Sequence, residues 1–319
     1  MRPGSDVSRR INAERLLLVA WIRAILLQFA HPLIAAGVAE HSTFRISTAT
    51  AFSRLRQTIE AMLSLTFGAE VEREAALEVI RGIHRRVNGT LTSARACFPA
   101  GARYSAEDPA LLTWVHATLI ESSVLVYEQL VDPLTPAERD RYCVDAAEVA
   151  VALGASPDDV PRSWDAIRSY LERRYESGEI VVGPEALTLA ASLVAPGGHR
   201  VSRVLVTPGL SLLAAGLLPA RVRIQYGFSW NRYRERWFRC AMLLLRLMRR
   251  ALPVSLTQWR RARLVQCKAI QHDDSAARRS PRGRSRAPDV ETADGCASQR
   301  TQPASDGGRH DRRPSPAHP

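Results

Sequence analysis

Between residues 11 and 30 the apolar positions Leu16, Val19, Ala20, Ala24, Leu27 and Ala30 fall three or four residues apart, which is the repeat of one helix face. Pro32 pushes the residue before it out of the helical region, so His31 is expected to end this helix. A short helix then covers 33–40, closed by His41 and Ser42. The next is expected from Ser47 to Phe67, with Arg54 and Thr58 four apart on one face and Leu55, Ile59 and Met62 turned to the core. A further helix over 70–88 places Ile80, Ile83, His84 and Val87 together, with Gly89 supplying its stop. Residues 90–106 read as a loop.

The pattern resumes at 108–130, where Asp108 and Pro109 have the chemistry of a helix start and an apolar run carries Trp114, His116 and Glu121. Thr135 opens a helix to Leu153, and Pro161 precedes another over 162–176. Shorter helices are expected at 184–195 and 202–218, and an apolar-basic one at 234–252. No stretch sustains strand-like alternation and no internal repeat occurs. The chain is therefore expected to be all-α, with one multi-helix domain over 11–268. Beyond that, Arg, Ser, Pro, Asp and Gly replace the apolar residues, so 269–319 is expected to be a disordered tail that cannot offset its ordering entropy.

Charge adds a feature that periodicity misses. The net charge is +12, and residues 221–270 alone hold twelve arginines and Lys268 against Glu235. The remaining 31 arginines are matched by 31 acids, so the basicity belongs to one segment. Within it, RVRIQYGFSWNRYRERWFRCAMLLLRLMRR interleaves arginine with Trp230, Tyr233, Trp237 and Phe238. Two readings stand: a helix docked on the core with solvated arginines, or an amphipathic surface lying on an anionic membrane through 221–252. Nucleic acid is not expected, because no binding fold accompanies the basic residues.

The five cysteines form no CxxC pair, which disfavours a disulfide framework or cysteine zinc site and fits a reducing, cytoplasmic setting. Residues 16–38 are apolar, but Arg23 and the His31-Pro32 break argue against a membrane span. The opening SRRINAERLLLVAW lacks a cleavage site after its apolar run and reads as the first helix of the fold.

The chain has no GxGxxG, P-loop, HExxH, GxSxG or paired Glu-x-x-His motif. That leaves His31, His41, His84, His116 and His199 as the candidates for site chemistry, each of which has a bland reading as a satisfied core or capping residue. Arg54 is open in the same way, between an ion pair with Glu60 or Glu121 and a cation facing an anionic group.

ILLQFAHPLIAAGVAEHSTF, RLRQT, IHRRVNG, YSAEDPALLTWVHATLIES, LTPAERDRY and LLPARVRIQYGFSW follow one another in this order. The series closely resembles the family formerly designated domain of unknown function DUF2236, which groups bacterial latex-clearing rubber oxygenases with a fungal membrane-bound oxygenase. The resemblance spans about 15–235. It implies an all-helical, globin-like core holding non-covalent haem b, with His84 as axial iron ligand and Arg54 and Thr58 supporting catalysis and the haem. His31 and His116 belong to the wider family pattern and are carried as further cofactor-site candidates. Gln57 stands where the rubber oxygenases have a lysine, so no amine is available to ligate iron there. Their catalytic glutamate has no sure counterpart, Glu40 being the nearest acid upstream. The implied activity is haem-dependent oxygenation, with dioxygen, of an apolar, unsaturated lipid or terpenoid-like substrate. The alternative is a haem- or lipid-binding helical protein without turnover.

Overall fold

Ser5 caps the first helix, α1 (Asp6–Asn12), and Asp145 secures that cap by accepting from the Ser5 N–H and the Ser8 hydroxyl, both at 2.7 Å. The computed structural model describes residues 5–41, 48–194 and 207–265. The helices described belong to one compact unit, Met1–Asp273. His199 and the expected tail over 269–319 lie outside the described residues.

The expected helix over 11–30 is two helices, α1 and α2 (Leu17–Phe29). The break is made from a distance: Glu14 bridges to Gln258, the Arg15 N–H donates to the Thr257 carbonyl, and the Trp259 N–H donates to Ala13. α2 stops at Phe29, two residues before the expected His31, which lies in the bend, and Pro32 begins α3 (Pro32–His41), the two axes bending by 104°. Next come α4 (Thr48–Phe67) and α5 (Glu70–His84).

The expected loop contains a small antiparallel pair, β1 (Asn88–Thr90) with β2 (Arg103–Ser105), in which Gly89 faces Tyr104. Strands of three residues are too short to show alternation. Gly89 is therefore not a left-handed helix cap. A Cβ there would lie 2.5 Å from the Tyr104 hydroxyl, so close strand approach is what requires glycine.

Helix α6 (Pro109–Leu130) starts where the sequence places it, with the Asp108 carboxylate accepting from the Ala110 N–H at 2.8 Å. Its Trp114, Ala117, Val124 and Leu130 are fully buried, and it packs against α2, α7 (Pro136–Ala152), α8 (Trp164–Glu176) and α12 (Arg232–Ala251). Among the described residues α6 is the helix long and apolar enough to cross a membrane, and most of it is buried in the core. Thr135 and Glu138 form the capping box of α7. The remaining elements are α9 (Pro184–Val194), α10 (Thr207–Leu217), α11 (Ala220–Gln225) and α13 (Val254–Thr257). The fold is all-α apart from the short hairpin.

Arg23, on an apolar helix, is buried and fully engaged. Its Nε donates to the Leu217 carbonyl at 2.8 Å, and its terminal nitrogens reach both Glu121 oxygens and the Ser122 hydroxyl. This joins α2 to α6 and α10; Glu121 is one of the two acids considered for Arg54, whose side chain lies outside the described residues. Glu60, the other acid considered for Arg54, pairs with Arg56 at 2.8 Å.

Candidate active site

Helices α4, α5, α6 and α7 surround a cavity of about 1220 Å³. Its walls are chiefly apolar, with Ala61 and Met62 from α4, Ile80 and Ile83 from α5, and Leu112 and Leu119 from α6. Apolar stripes at helical spacing usually close against one another. Here the four helices leave space between them, large enough for a cofactor or a substantial ligand.

Two histidines from separate helices border this space. His84 is the last residue of α5 and is half-buried, and its Nδ1 is shielded from solvent without a hydrogen-bond partner in the protein. His116 sits in the middle of α6, buried, with its Nε2 likewise unpartnered. Burial lowers the His84 pKa, with Glu107 opposing. Burial and then the Arg162 charge bring that of His116 down to about 4. Both rings are neutral near pH 7, the state in which an imidazole nitrogen can donate its lone pair to a metal.

Thr58 and Gln57 also line the cavity, from α4. The Arg54 side chain, one turn earlier on that helix, lies outside the described residues. The structure thus brings together Thr58, His84 and His116.

His31 is not among the residues of the cavity. It is buried at the α2–α3 junction, with its Nε2 3.3 Å from Arg174 Nη2 and 3.9 Å from a Glu179 oxygen. A guanidinium only donates, so Nε2 accepts and the proton rests on Nδ1. The ring centroid lies 5.5 Å from that of Phe98 and 6.4 Å from that of Trp114. Desolvation, then Arg174, lowers its pKa to about 3. This is a packed histidine at a bend. His41 donates from Nε2 to the Asn88 carbonyl at 3.0 Å, tying α3 to the hairpin. Glu40 accepts from the Tyr104 hydroxyl and is also absent from the cavity lining.

Sequence reasoning missed the charged rim contributed by α7. Arg141, Asp145 and Glu148 line the cavity at spacings of four and three, so they share a helix face. Their signal was a polar stripe on a half-apolar helix, which looks like any solvated face. Each carboxylate is committed: Asp145 to Arg141 at 3.2 Å as well as to the α1 cap, and Glu148 to Arg162 at 3.2 Å. Arg86 joins the lining from beyond α5.

The family model described as ER-bound oxygenase mpaB/B'/Rubber oxygenase, catalytic domain, matches residues 8–247. The chain belongs to this family. No curated protein and no solved structure matches it. The matched span of this mpaB/rubber-oxygenase domain contains most of α1, all of α2 to α11 and most of α12, and so every residue that walls the cavity. Membership gives the chain the frame of an oxygenase catalytic domain, consistent with a small-molecule substrate and dioxygen. Within that frame the cavity is where the unpartnered imidazoles and apolar volume coincide. Among the described residues no three His, Cys, Asp or Glu side chains are grouped as a protein-ligated metal ion would need. A haem iron needs only one such side chain.

Proposed function

We propose that this chain is a haem b-dependent oxygenase of an apolar, unsaturated lipid or terpenoid-like substrate, with His84 as the axial ligand. The observation that carries the reading is a large apolar cavity, in an oxygenase domain, onto which neutral and unpartnered His84 and His116 open. The residues present fit a haem: a neutral imidazole for iron, apolar walls for the macrocycle, and Arg86 and Arg141 as cations for its carboxylates.

In this reading His84 would hold the cofactor from the end of α5. His116 would offer a second neutral imidazole from α6, its unpartnered Nε2 available to a group bound in the pocket. Arg54 and Thr58, both on α4, would hold the cofactor and supply a cation and a hydroxyl to stabilise negative charge there. Gln57 cannot close that side as an amine would, because an amide nitrogen has no free lone pair. The apolar walls select a hydrocarbon-like substrate and exclude water around it. Haem bound here supplies the activation of dioxygen that no side chain can supply. Because such a substrate partitions into lipid, the protein is placed in the cytoplasm, peripheral on the inner face of the membrane, with contact through 221–252.

A second reading, haem or lipid binding without turnover, is favoured by the engagement of both cavity carboxylates in ion pairs, which leaves neither free as a base. An absorption spectrum with iron analysis, alongside dioxygen uptake, separates the two. The oxygenase reading expects a Soret band in the wild type, its loss or shift in His84→Ala, and dioxygen consumption with an unsaturated lipid extract. A haem-loaded protein that takes up no dioxygen would favour the second reading. Protein that cannot be reconstituted with haem, or an unchanged spectrum in His84→Ala, would remove the first.

A further inference from the structure

Helix α12 has two apolar faces. One, with Phe238, Met242 and Leu245, packs on the core. The other carries Tyr233, Trp237, Leu244, Leu247 and Met248, whose spacing puts them in one stripe along the helix. This second stripe is uncovered: Trp237 is 69% exposed and Leu244 58%. Leu252, Val254 and Leu256 extend the exposed apolar surface past the end of the helix.

Arg232, Arg236 and Arg250 run along one edge of the stripe, exposed, and make no ion pair among the described residues. Glu235, the one acid of α12, is already occupied by Arg239 at 2.7 Å and by the Trp230 indole N–H at 3.0 Å. The positive charge is therefore uncompensated within its own element.

Charge and apolar exposure together choose the occupant. A second copy of the helix would set two strongly cationic surfaces against each other. A nucleic acid would meet the arginines but leave the Trp237–Leu244 stripe in water. An anionic bilayer answers both: guanidinium groups sit among lipid phosphates while the adjoining stripe enters the acyl boundary. We propose that α12 and residues 252–256 form a docking surface for an anionic phospholipid bilayer, with Trp237 and Leu244 inserted and Arg232, Arg236 and Arg250 at the headgroups. The proposal names the surface behind the membrane placement given above, and it rests on the oxygenase reading only for why the enzyme would sit there.

The test is co-sedimentation of the full chain with vesicles of phosphatidylcholine alone and of phosphatidylcholine mixed equally with phosphatidylglycerol. Binding is expected to the mixed vesicles only and to fall with added salt. Trp237→Ser with Leu244→Ser is expected to weaken it at least about tenfold. Charge removal in Arg232→Gln, Arg236→Gln and Arg250→Gln is expected to cost about fivefold per arginine. Val71→Ser, at an exposed apolar position on α5, should change nothing. Circular dichroism and the Soret band, read on every variant, report folding and the haem reading separately from docking.

The proposal is overturned if the wild type ignores the mixed vesicles or if the Trp237/Leu244 variant binds them as the wild type does. It is also overturned if the protein is a dimer that this variant makes monomeric, with no vesicle binding in either. Capture of duplex DNA in place of vesicles, unaffected by Trp237→Ser, overturns it too.

Discussion

His31 and His116 are carried together from the family pattern as cofactor-site candidates, yet the fold gives them different work. His116 opens on the α4–α7 cavity with an unpartnered nitrogen, whereas His31 is clasped by Arg174 at a bend. Periodicity places a residue on a helix face, but it cannot say whether the opposing helix stands close or leaves a cavity. The family resemblance singled out His84 and Thr58, and both line that space. The same resemblance carried His31 only as a further candidate, and its place before Pro32 put it at a helix junction. The clasp has a pH consequence. His31 falls from an ordinary 6.5 to about 3 in the folded protein, so above 6.5 both states are neutral and its contribution is intact. Below 6.5 the unfolded chain takes the proton first, and stability declines as pH falls towards about 3. By about pH 5 this one group should have removed about 2 kcal/mol. His31→Gln keeps an acceptor for Arg174 and does not titrate. Urea unfolding at about pH 7 and about pH 5 should show a smaller loss in the variant, and equal losses would mean that another group carries the acid sensitivity.

At the scale of elements, the sequence placed most helices well because their ends carry local chemistry: Asp108 before α6, Thr135 with Glu138 before α7, and Pro32 at the start of α3. What local chemistry does not reveal is how elements join. In the sequence Arg23 stands out only as a charge inside an apolar run, and Glu121 as one of two acids considered for Arg54. They are one buried ion pair, and the same guanidinium also binds the Leu217 carbonyl of α10. Glu121→Ala leaves Arg23 buried beside only neutral acceptors and should destabilise by about 3 kcal/mol, because an uncompensated buried charge costs more than the pair contributes. Chemical denaturation of Glu121→Ala against the wild type measures this, and a loss below about 1 kcal/mol would place water at Arg23. The α10–α12 contact depends on a missing side chain. A Cβ at Gly216 would run into the Phe238 ring, so Gly216→Ala should cost about 1–3 kcal/mol by forcing the helices apart. Phe238→Leu should recover part of that loss in the double variant, and an additive outcome would show that the two positions do not press on each other.

Over the whole molecule the closure between the start of the fold and residues 249–259 was invisible to any local pattern, since it joins groups more than 200 residues apart. Glu14 is buried, and its carboxylate accepts from Arg249 Nε at 2.6 Å, from Arg249 Nη2 at 2.7 Å and from the Gln258 amide at 3.0 Å. Together with the backbone pairing of 13–15 to 257–259, this interrupts the helix that periodicity predicts and fastens α12 to the body of the protein. Burying such a group is tolerable only because every oxygen is engaged. Glu14→Gln removes the anion and strands the Arg249 charge, so the expected loss is about 3 kcal/mol. The loss should not be uniform, because the element released is α12, while the cavity walls on α4 to α7 keep their own packing. Limited trypsin digestion should therefore cut the arginines of α12 faster in Glu14→Gln, while cleavage at the arginines of α5 and α7 stays as in the wild type. Unchanged digestion of α12 would contradict this closure, and equal acceleration at sites throughout the chain would show that α12 does not open by itself.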